Sequence, residues 1–294
     1  MAKIGIVTVL YNSSSVLEDF FKTLSQQTLK DFVLYIIDNK SPDDSLSKSK
    51  ELAIAYQESF LSVIIENDDN YGIAAGNNIG VKRALEDNCD YILLSNNDIV
   101  MNNDCISLLL SKIQETNIDM IVPKIFFYDE PLIWMAGGYF TKFSGGTRHI
   151  GSMKKDRPEY NKYRLISYAP TCVMLIKKDA FDKVGFFEEK FFVYFDDTDW
   201  VYRSRKRGLK LAYHPEAVVY HKESTSTGGQ QSDFTIYYQL RNHFFFCKKN
   251  FFRFHYWLFV MAKCAHHFLY YRWTLNEHQR GVADKAIYDG LKMN

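Results

Sequence analysis

The sequence lacks the features that define several large protein classes. No uncharged apolar run reaches the roughly 18 residues that a membrane-spanning helix needs. The five cysteines form no Cys-x-x-Cys pair and the N-terminus does not read as a secretory signal, so we expect buried thiols in a reducing cytoplasm. A formal net charge of +1 argues against a nucleic-acid-binding protein. The absence of G-x-G-x-x-G after the first predicted strand, and of G-x-x-x-x-G-K-S/T, argues against Rossmann dinucleotide-binding and P-loop proteins.

The sequence does contain a regular alternation of strand-like and helix-like segments. Four apolar, β-rich runs, "KIGIVTVLYN", "FVLYIIDN", "LSVIIEN" and "YILLSNND", are each followed by a segment of helical character. Strands and helices that alternate in this way form right-handed βαβ units. We therefore predict an α/β fold with a Rossmann-like, mostly parallel sheet flanked by helices. The Gly-rich and charged stretch from about 125 to 170 is interpreted as a loop or hairpin insertion over the ligand crevice.

Polar residues follow the predicted strands at the points where the strands end. They are Asn12, Asp38, Asn67 to Asn70 and Asn96 to Asp98. In open α/β sheets ligands bind beyond the carboxyl ends of the strands, so these side chains should face one crevice. The segment "NYGIAAGNNIG" (70–80) offers glycines that let backbone approach a ligand and amides that both donate and accept. An ordinary Gly-rich loop leading into a helix is the alternative for that segment.

Three carboxylates, Asp196, Asp197 and Asp199, crowd into four positions of "KFFVYFDDTDWVYRSRKRG" (190–208). Like charges this close repel and raise each other's pKa, so the cluster needs a metal, a cationic partner or a catalytic purpose. The alternative is a simple helix start, because Asp is favoured at N-caps and in first turns.

Six segments occur in an order and spacing that resemble the inverting family 2 glycosyltransferases of GT-A fold, over residues 3–250. The nearest likeness is to the bacterial rhamnosyltransferase-like branch that builds surface polysaccharides. The segments are "VTVLYN", "IIDNKSPDD", "NYGIAAGNNIG", "LLSNND", "APTCVMLIKKDAFDKVGFFEEKFFVYFDDTDWVYRSRKRG" and "YYQLRN". The resemblance implies a catalytic domain at 1–225, with a nucleotide-binding half at about 1–100 and an acceptor half at about 101–225. A helical C-terminal region would follow at 234–294.

The resemblance also implies roles for individual residues. The nucleotide would be bound by Thr8, Val9, Tyr11, Asp38, Asn70, Gly76, Asn77 and Asn97. A divalent cation, Mn²⁺ or Mg²⁺, would be held by Asp98 and His221, and a neutral imidazole suits Mn²⁺ better. The acceptor or sugar would meet Asn96, Asp196 and Trp200. The family's metal-binding Asp-x-Asp falls on Asn96 to Asp98, where Asn replaces the first acid and lowers the negative charge.

Asp197 matches the family's general base, which takes a proton from the acceptor hydroxyl as that oxygen attacks the anomeric carbon. A single displacement inverts the configuration and needs one base. Asp196 would raise the pKa of Asp197 or hold the acceptor, and Asp199 would pair with Arg203 at i,i+4 in a structural role. Trp200 would offer a stacking face to a sugar, with core packing as the alternative.

The C-terminal quarter differs in composition from the rest of the chain. Residues 234–276 contain no Asp or Glu but many aromatic and basic side chains, which predicts helices that contact an anionic membrane surface. Packing against the catalytic domain, or in a homodimer, is the alternative. The polar loop "KESTSTGGQQSD" (222–233) is predicted to be a lid over the donor diphosphate.

The leading hypothesis is an inverting transferase that moves a sugar from dTDP-rhamnose or a UDP-sugar to a hydroxyl of a saccharide or polyprenyl-linked saccharide. It predicts a cytoplasmic enzyme, peripheral on the inner face of the membrane, with no nucleic-acid partner. A nucleotidyltransferase is a second hypothesis, which the missing basic Gly-rich loop after the first strand disfavours. A non-catalytic nucleotide- or sugar-binding partner in a polysaccharide assembly complex is a third, suggested by Asn96.

Overall fold

A computed structural model of the chain describes residues 3–141, 144–222, 232–266, 269 and 272–294. Twelve strands are found in these ranges. They are β1 (Ile4–Leu10), β2 (Phe32–Asp38), β3 (Leu61–Glu66), β4 (Tyr91–Ser95), β5 (Ile99–Met101), β6 (Met120–Phe127), β7 (Ile133–Met135), β8 (Gly138–Phe140), β9 (Thr147–His149), β10 (Arg164–Ile166), β11 (Val173–Lys177) and β12 (Leu211–His221).

The helices of the described ranges alternate with the first strands and then dominate the C-terminal part. They are α1 (Leu17–Ser25), α2 (Ser45–Ala55), α3 (Gly72–Glu86), α4 (Cys105–Thr116), α5 (Asp179–Val184), α6 (Asp196–Lys206), α7 (Asp233–Asn250), α8 (Arg253–His266), α9 (Arg272–Thr274) and α10 (Glu277–Lys292). Among the described residues no helix combines the length and the apolar character that crossing a bilayer requires.

The central sheet has the strand order β10-β12-β6-β11-β4-β1-β2-β3, with β5 paired to β12 and β7 to β6. Strands β3, β2, β1 and β4 run parallel, and so do β6 and β12. Strand β11 is antiparallel to both β4 and β6. The carboxyl ends of β2, β4 and β12 and the start of β11 therefore lie at one edge of the sheet. This arrangement confirms the predicted α/β fold with a mostly parallel sheet.

The first two strands are buried along nearly their whole length, which explains their continuous apolar sequence. Helix α3 packs directly on β1. A Cβ at Gly76 would lie 2.7 Å from Val9 Cγ1, and one at Gly80 would lie 2.4 Å from Val7 Cγ1. The missing side chain at Gly76 makes room for the sheet, so close packing on β1 accounts for this glycine.

The C-terminal helices share a core with the catalytic part of the chain. Phe244, Phe245 and Phe246 of α7 pack together with Phe191 and against Phe195 and Tyr202. Helix α10 also packs on α7, so close that a Cβ at Gly290 would be 2.5 Å from the Arg241 carbonyl oxygen. Packing against the catalytic domain, which was the alternative for the C-terminal region, is thus present for α7.

Candidate active site

Two buried oxygen atoms face the end of the first two strands without a hydrogen-bond partner among the described residues. Asp38 is the last residue of β2, opposite Leu10 of β1. Its Oδ2 accepts a hydrogen bond from the Ser41 amide at 3.2 Å, while its Oδ1 and the Thr8 Oγ1 receive none from the described part of the chain. Buried polar atoms are nearly always hydrogen-bonded in folded proteins, so both atoms suit a polar ligand.

The side chain of Asn97, which the sequence predicts to bind the nucleotide, connects the loop after β4 to β1. Asn97 Nδ2 donates to the Val9 carbonyl oxygen at 2.8 Å. This bond uses one of the two amide hydrogens of Asn97 to hold the loop. Tyr11, which is 41% exposed, lies on the solvent side of the same strand end. Both residues lie where the sequence predicted them, beyond the carboxyl end of β1.

The "NYGIAAGNNIG" segment forms the entry to α3, with its side chains used largely to shape the turn. Asn70 Oδ1 accepts from the Gly72 amide at 3.0 Å, and Asn77 is buried within α3. Asn39, which sequence reasoning missed, donates from Nδ2 to the Gly72 carbonyl at 2.9 Å. It also accepts a hydrogen bond from Asn67 at 2.8 Å. Its place directly after Asp38 in "IIDN" is the signal that could have revealed it.

Asp98 and His221, the predicted metal ligands, come together although 123 positions separate them in the sequence. Strands β5 and β12 pair antiparallel with His221 opposite Ile99, and the Lys222 amide donates to the Asp98 carbonyl at 3.0 Å. His221 Nε2 lies 3.3 Å from Asp98 Oδ1, and both side chains are almost buried. Trp134 packs edge-on against the His221 ring, with the centroids 4.9 Å apart.

The two donor atoms lie about as far apart as neighbouring ligands of a divalent cation. Neighbouring ligands of an octahedral ion with bonds of about 2.1 Å lie roughly 3 Å apart, close to the 3.3 Å found here. No group of three or more His, Cys, Asp or Glu side chains forms a metal cage within the described ranges. Within the described ranges, Asp98 and His221 are thus a pair of candidate ligands whose spacing is compatible with a divalent cation.

Asp197 lies at the start of α6 and is held by neutral donors. The Tyr168 hydroxyl donates to its Oδ2 at 3.0 Å, while the Thr198 amide and hydroxyl donate to Oδ1 at 2.5 and 3.1 Å. Burial raises the pKa of Asp197, and the hydrogen bonds from Tyr168 and Thr198 offset part of that rise. The side chain remains half-buried, so a substrate can reach it.

Asp196, the neighbour of Asp197, is less exposed to solvent. Its side chain is 5% exposed, and burial followed by repulsion from Asp197 raises its pKa well above the usual value. Backbone hydrogen bonds lower the pKa of Asp196 in part, but they do not offset the effect of its burial. Of the two coupled carboxyls, Asp196 therefore holds the shared proton more firmly, and Asp197 is the more readily ionised.

The third acid of the cluster has a structural role, as the sequence predicted. Asp199 has no exposed surface. It accepts hydrogen bonds from Arg203 Nε at 2.7 Å, Lys249 Nζ at 3.1 Å and Asn250 Nδ2 at 2.8 Å. This buried ionic cluster joins α6 to the end of α7.

The two halves of the site meet at the start of β11. The backbone N–H of Asn96 donates to the Cys172 carbonyl oxygen at 2.8 Å. Burial raises the pKa of the Cys172 thiol, and the charges of Asp98 and Asp197 raise it further. Ring contacts connect the proposed metal ligand His221 to the proposed base. They run from His221 through Trp134 and His149 to Tyr168, whose hydroxyl donates to Asp197.

Trp200 does not belong to this crevice, and its predicted contact with a sugar is wrong. The ring has no exposed surface, packs between Phe181 and Phe187 with centroids 5.3 and 5.4 Å away, and donates from Nε1 to the Gly185 carbonyl at 2.8 Å. The helical turn that presents Asp197 to the crevice directs Trp200 into the core.

The structure instead places three other rings between the metal ligands and the base. Trp134 lies 4.6 Å from the His149 ring, and His149 is stacked over Tyr168 at 6.2 Å. Burial lowers the pKa of His149, which keeps the imidazole neutral. These three residues were not among the predicted site residues, because they come from the stretch whose sequence suggests a loop or hairpin insertion. The lid predicted at 222–233 lies, for residues 223–231, outside the described residues.

Comparison with known proteins identifies the family. Residues 5–185 match the model of glycosyl transferase family 2. The chain belongs to this family. The match of this family 2 glycosyltransferase ends before Asp197 and His221, so the assignment of those two residues rests on the geometry above and on the sequence resemblance.

This family 2 glycosyltransferase is similar to sugar-transferring proteins of archaea and bacteria. It is 24% identical to the low-salt glycan biosynthesis hexosyltransferase Agl10 of Haloferax volcanii, over 82% of this chain and 74% of the relative. It is also 24% identical to the N-acetylglucosaminyl-diphospho-decaprenol L-rhamnosyltransferase of Mycobacterium tuberculosis, over 76% of this chain and 77% of the relative.

Among solved structures, GalNAc-T7 crystallised with UDP, GalNAc and Mn²⁺ superimposes with a TM-score of 0.67 at 14% identity. The alignment covers 97% of this chain but only 54% of that one, so this chain spans about half the length of that neighbour. The likeness confirms the predicted GT-A fold.

Proposed function

We propose that this glycosyltransferase transfers a sugar from a nucleoside diphosphate to a saccharide hydroxyl with inversion, and that Asp197 is the general base. The observation that carries the proposal is the position of Asp197, half-buried beside Tyr168 in the crevice that also contains Asp98 and His221. A carboxylate with a raised pKa is a stronger base at neutral pH.

In the proposed reaction, Asp197 is the carboxyl that acts on the acceptor. Asp197 takes the proton of the acceptor hydroxyl while that oxygen forms a bond to the anomeric carbon. The bond from the anomeric carbon to the diphosphate breaks on the opposite face, so the configuration inverts and no covalent sugar–enzyme intermediate is needed. Asp196 stays protonated, which avoids a second negative charge beside the base.

Asp98 and His221 would hold a divalent cation, and the imidazole favours Mn²⁺. When bound, the cation would stabilise the charge that develops on the leaving diphosphate. The distance between the two donor atoms supports this role, and so does the Mn²⁺ in the GalNAc-T7 structure. Asn96 in place of an acid reduces the local negative charge, so we expect the cation to bind together with the nucleotide rather than alone.

Asp38 and Thr8 would accept hydrogen bonds from the base or ribose of the donor, because each has a buried oxygen that receives no hydrogen bond from the described residues. We propose dTDP-rhamnose or a UDP-sugar as the donor. The similarity to a mycobacterial rhamnosyltransferase supports the first, and the UDP in the GalNAc-T7 structure supports the second.

The outer face of α8 supports an acceptor that is anchored in a membrane. Its exposed apolar side chains recur at helical spacing and are Phe254, Trp257, Leu258 and Met261. The opposite face, with Tyr256, Phe259 and Val260, is buried against α7. A helix that is apolar on both faces needs a second apolar partner. The lack of acidic residues in 234–276 favours an anionic lipid surface, which would bring a polyprenyl-linked saccharide to the crevice.

The central experiment is an activity screen with dTDP- and UDP-sugars and saccharide or lipid-linked acceptors in the presence of Mn²⁺. The anomeric configuration of the product is read by NMR and should be inverted. Asp197→Asn should lower kcat by about 100- to 10,000-fold, the usual contribution of a general base, while donor binding persists. Asp182→Asn, the same change at an exposed position of α5, is the control. Retained configuration, or full turnover by Asp197→Asn, would contradict the proposal.

A further inference from the structure

The backbone that leads into Asp196 and Asp197 adopts an unusual conformation. Phe192, Tyr194 and Phe195 have φ angles of 67°, 60° and 66°. Bulky non-glycine residues avoid this left-handed region, and they remain in it only where surrounding contacts hold them. We call residues 191–195 the approach segment. The position of Asp197 at the start of α6 depends on how this segment is held.

One side chain of α7 holds most of the approach segment. Asn242 Nδ2 lies 2.8 Å from the Phe191 carbonyl, 2.6 Å from that of Val193 and 2.9 Å from that of Tyr194. An amide has only two hydrogens, so three acceptors share them. Asn242 has no exposed surface, so no water replaces these bonds. Its Oδ1 accepts from Arg241 Nε at 2.8 Å, which orients the amide with its donors toward the segment.

Further contacts come from the same face of α7. The Tyr238 ring stacks on Phe192 at 5.2 Å, and the His243 ring stacks on Phe195 at 4.9 Å. Residues 238 and 242 lie four positions apart and therefore on one helical face. Arg241 Nη2 adds a hydrogen bond to the Phe191 carbonyl at 2.8 Å. The face of α7 is thus shaped to the carbonyls and rings of the approach segment.

The other side of the approach segment touches the nucleotide half. The Ile73 amide, in the first turn of α3, donates to the Phe192 carbonyl at 2.6 Å. A Cβ at Gly72 would lie 2.4 Å from the same oxygen. The approach segment is therefore clamped between the entry of α3 and α7, and Asp197 follows it directly. Movement of α7 would shift the base relative to the nucleotide-binding side of the crevice.

We propose that Asn242 is a positioning residue, which acts through the approach segment to set the place of the Asp197 carboxylate for the acceptor hydroxyl. The C-terminal helix α7 is then part of the catalytic apparatus. The inference rests on the proposed function, in which Asp197 is the base. Errors of about 1 Å in the placement of a reacting group cost up to roughly 100-fold in rate, so the expected effect falls on kcat.

The test compares Asn242→Asp and Asn242→Ser with Gln239→Glu. Asn242→Asp keeps the shape but removes both donors, Asn242→Ser keeps one, and Gln239→Glu makes the amide-to-acid change on the exposed face of α7. Calorimetric titration with UDP or dTDP plus Mn²⁺ counts the binding sites per chain, and kcat is expressed per binding-competent molecule. We expect kcat to fall about 10- to 100-fold in Asn242→Asp and less in Asn242→Ser. Nucleotide affinity should stay within about threefold of wild type, and Gln239→Glu should be unchanged.

The result that overturns the inference is a wild-type kcat per binding-competent molecule in both Asn242 variants. If Asn242→Asp does not fold, Asn242→Ser alone decides, because it introduces no buried charge. The two proposals fail separately. Full turnover by Asp197→Asn would remove the base, whereas an inactive Asp197→Asn together with fully active Asn242 variants would remove only the positioning role.

Discussion

Replacing Tyr168 by Phe removes a hydrogen bond to the proposed base, together with the hydrogen bonds that Thr147 and Thr198 make to the same hydroxyl. The hydroxyl donates to Asp197 Oδ2 at 3.0 Å, and the ring, 4% exposed, keeps its packing in the variant. Hydrogen bonds to charged groups contribute about 1.5–3 kcal/mol, and a pKa unit corresponds to about 1.4 kcal/mol. Because Asp197 is half-buried and water can replace part of the lost bond, we expect its pKa to rise by roughly one unit.

The direction of the effect follows from the state that the hydrogen bond stabilises. The Tyr168 hydroxyl donates to the ionised carboxylate and so lowers the pKa of Asp197, and its removal raises that pKa. The base must be ionised to act, so the acidic limb of the kcat–pH profile moves to higher pH by about one unit. At pH values above the acidic limb of both the wild type and the variant, kcat of the variant stays near the wild-type value. The raised pKa also makes Asp197 a stronger base.

Stability should follow the same titration. Burial holds the pKa of folded Asp197 above its usual value, so this group contributes less stability as pH rises through the folded pKa. The loss is larger in Tyr168→Phe. The free energy of unfolding should therefore be lower than wild type by about 1–2 kcal/mol above the pKa of Asp197. Below that pKa, where Asp197 is protonated, the difference should shrink.

The assay is a kcat–pH profile at saturating donor and acceptor, with urea unfolding at two pH values. Tyr213→Phe is the control, because the Tyr213 hydroxyl makes an equally buried hydrogen bond of 2.8 Å to the Tyr160 carbonyl. It should lower stability equally at both pH values and leave the acidic limb in place. An acidic limb that does not move in Tyr168→Phe refutes the reasoning that Asp197 is the base whose pKa this hydroxyl sets.

Two further predictions concern the metal and the membrane. His221→Ala should raise the Mn²⁺ concentration for half-maximal activity by at least about tenfold. His214→Ala, in the same strand, is the control and should not change it. If the two variants show the same Mn²⁺ dependence, His221 is not a metal ligand. Trp257→Ser with Met261→Ser should weaken flotation with anionic vesicles at least about tenfold, because burying an apolar side chain contributes about 1.5–3 kcal/mol. Leu165→Ser, at an exposed site of β10, is the control and should float with the vesicles like wild type. If the wild-type chain does not bind such vesicles, the proposed contact with a lipid surface is excluded.

Local patterns in the chain were enough to predict the fold class and one edge of the site. The alternation of apolar runs and amphipathic segments is a property of neighbouring residues, and parallel strands bring their carboxyl ends to one edge. For that reason the sequence alone predicts that Asp38 and Asp98 lie at a common edge of the sheet. His221 required the family resemblance as well, because a lone His at a strand end has no distinctive local pattern.

At two positions the residue type has more than one physical use, and the sequence alone does not show which use applies. Glycine permits close approach to a ligand or to another element, and at Gly76 the neighbour is Val9 of the sheet. An aromatic ring suits a sugar or a core equally well, and Trp200 lies in the core. The choice depends on which face of the helix is covered, and that depends on elements distant in the sequence.

The residues that contact the proposed base or hold the segment before it could not be predicted from the sequence. Tyr168 lies 29 positions from Asp197, and Asn242 lies 48 to 51 positions from the carbonyls that it holds. Composition and periodicity could reveal that three acids are crowded together, but not which of them is ionised, which is paired and which faces substrate. Those properties depend on desolvation and on hydrogen-bond donors supplied by other elements, and only chain folding brings such donors within 3 Å of Asp197.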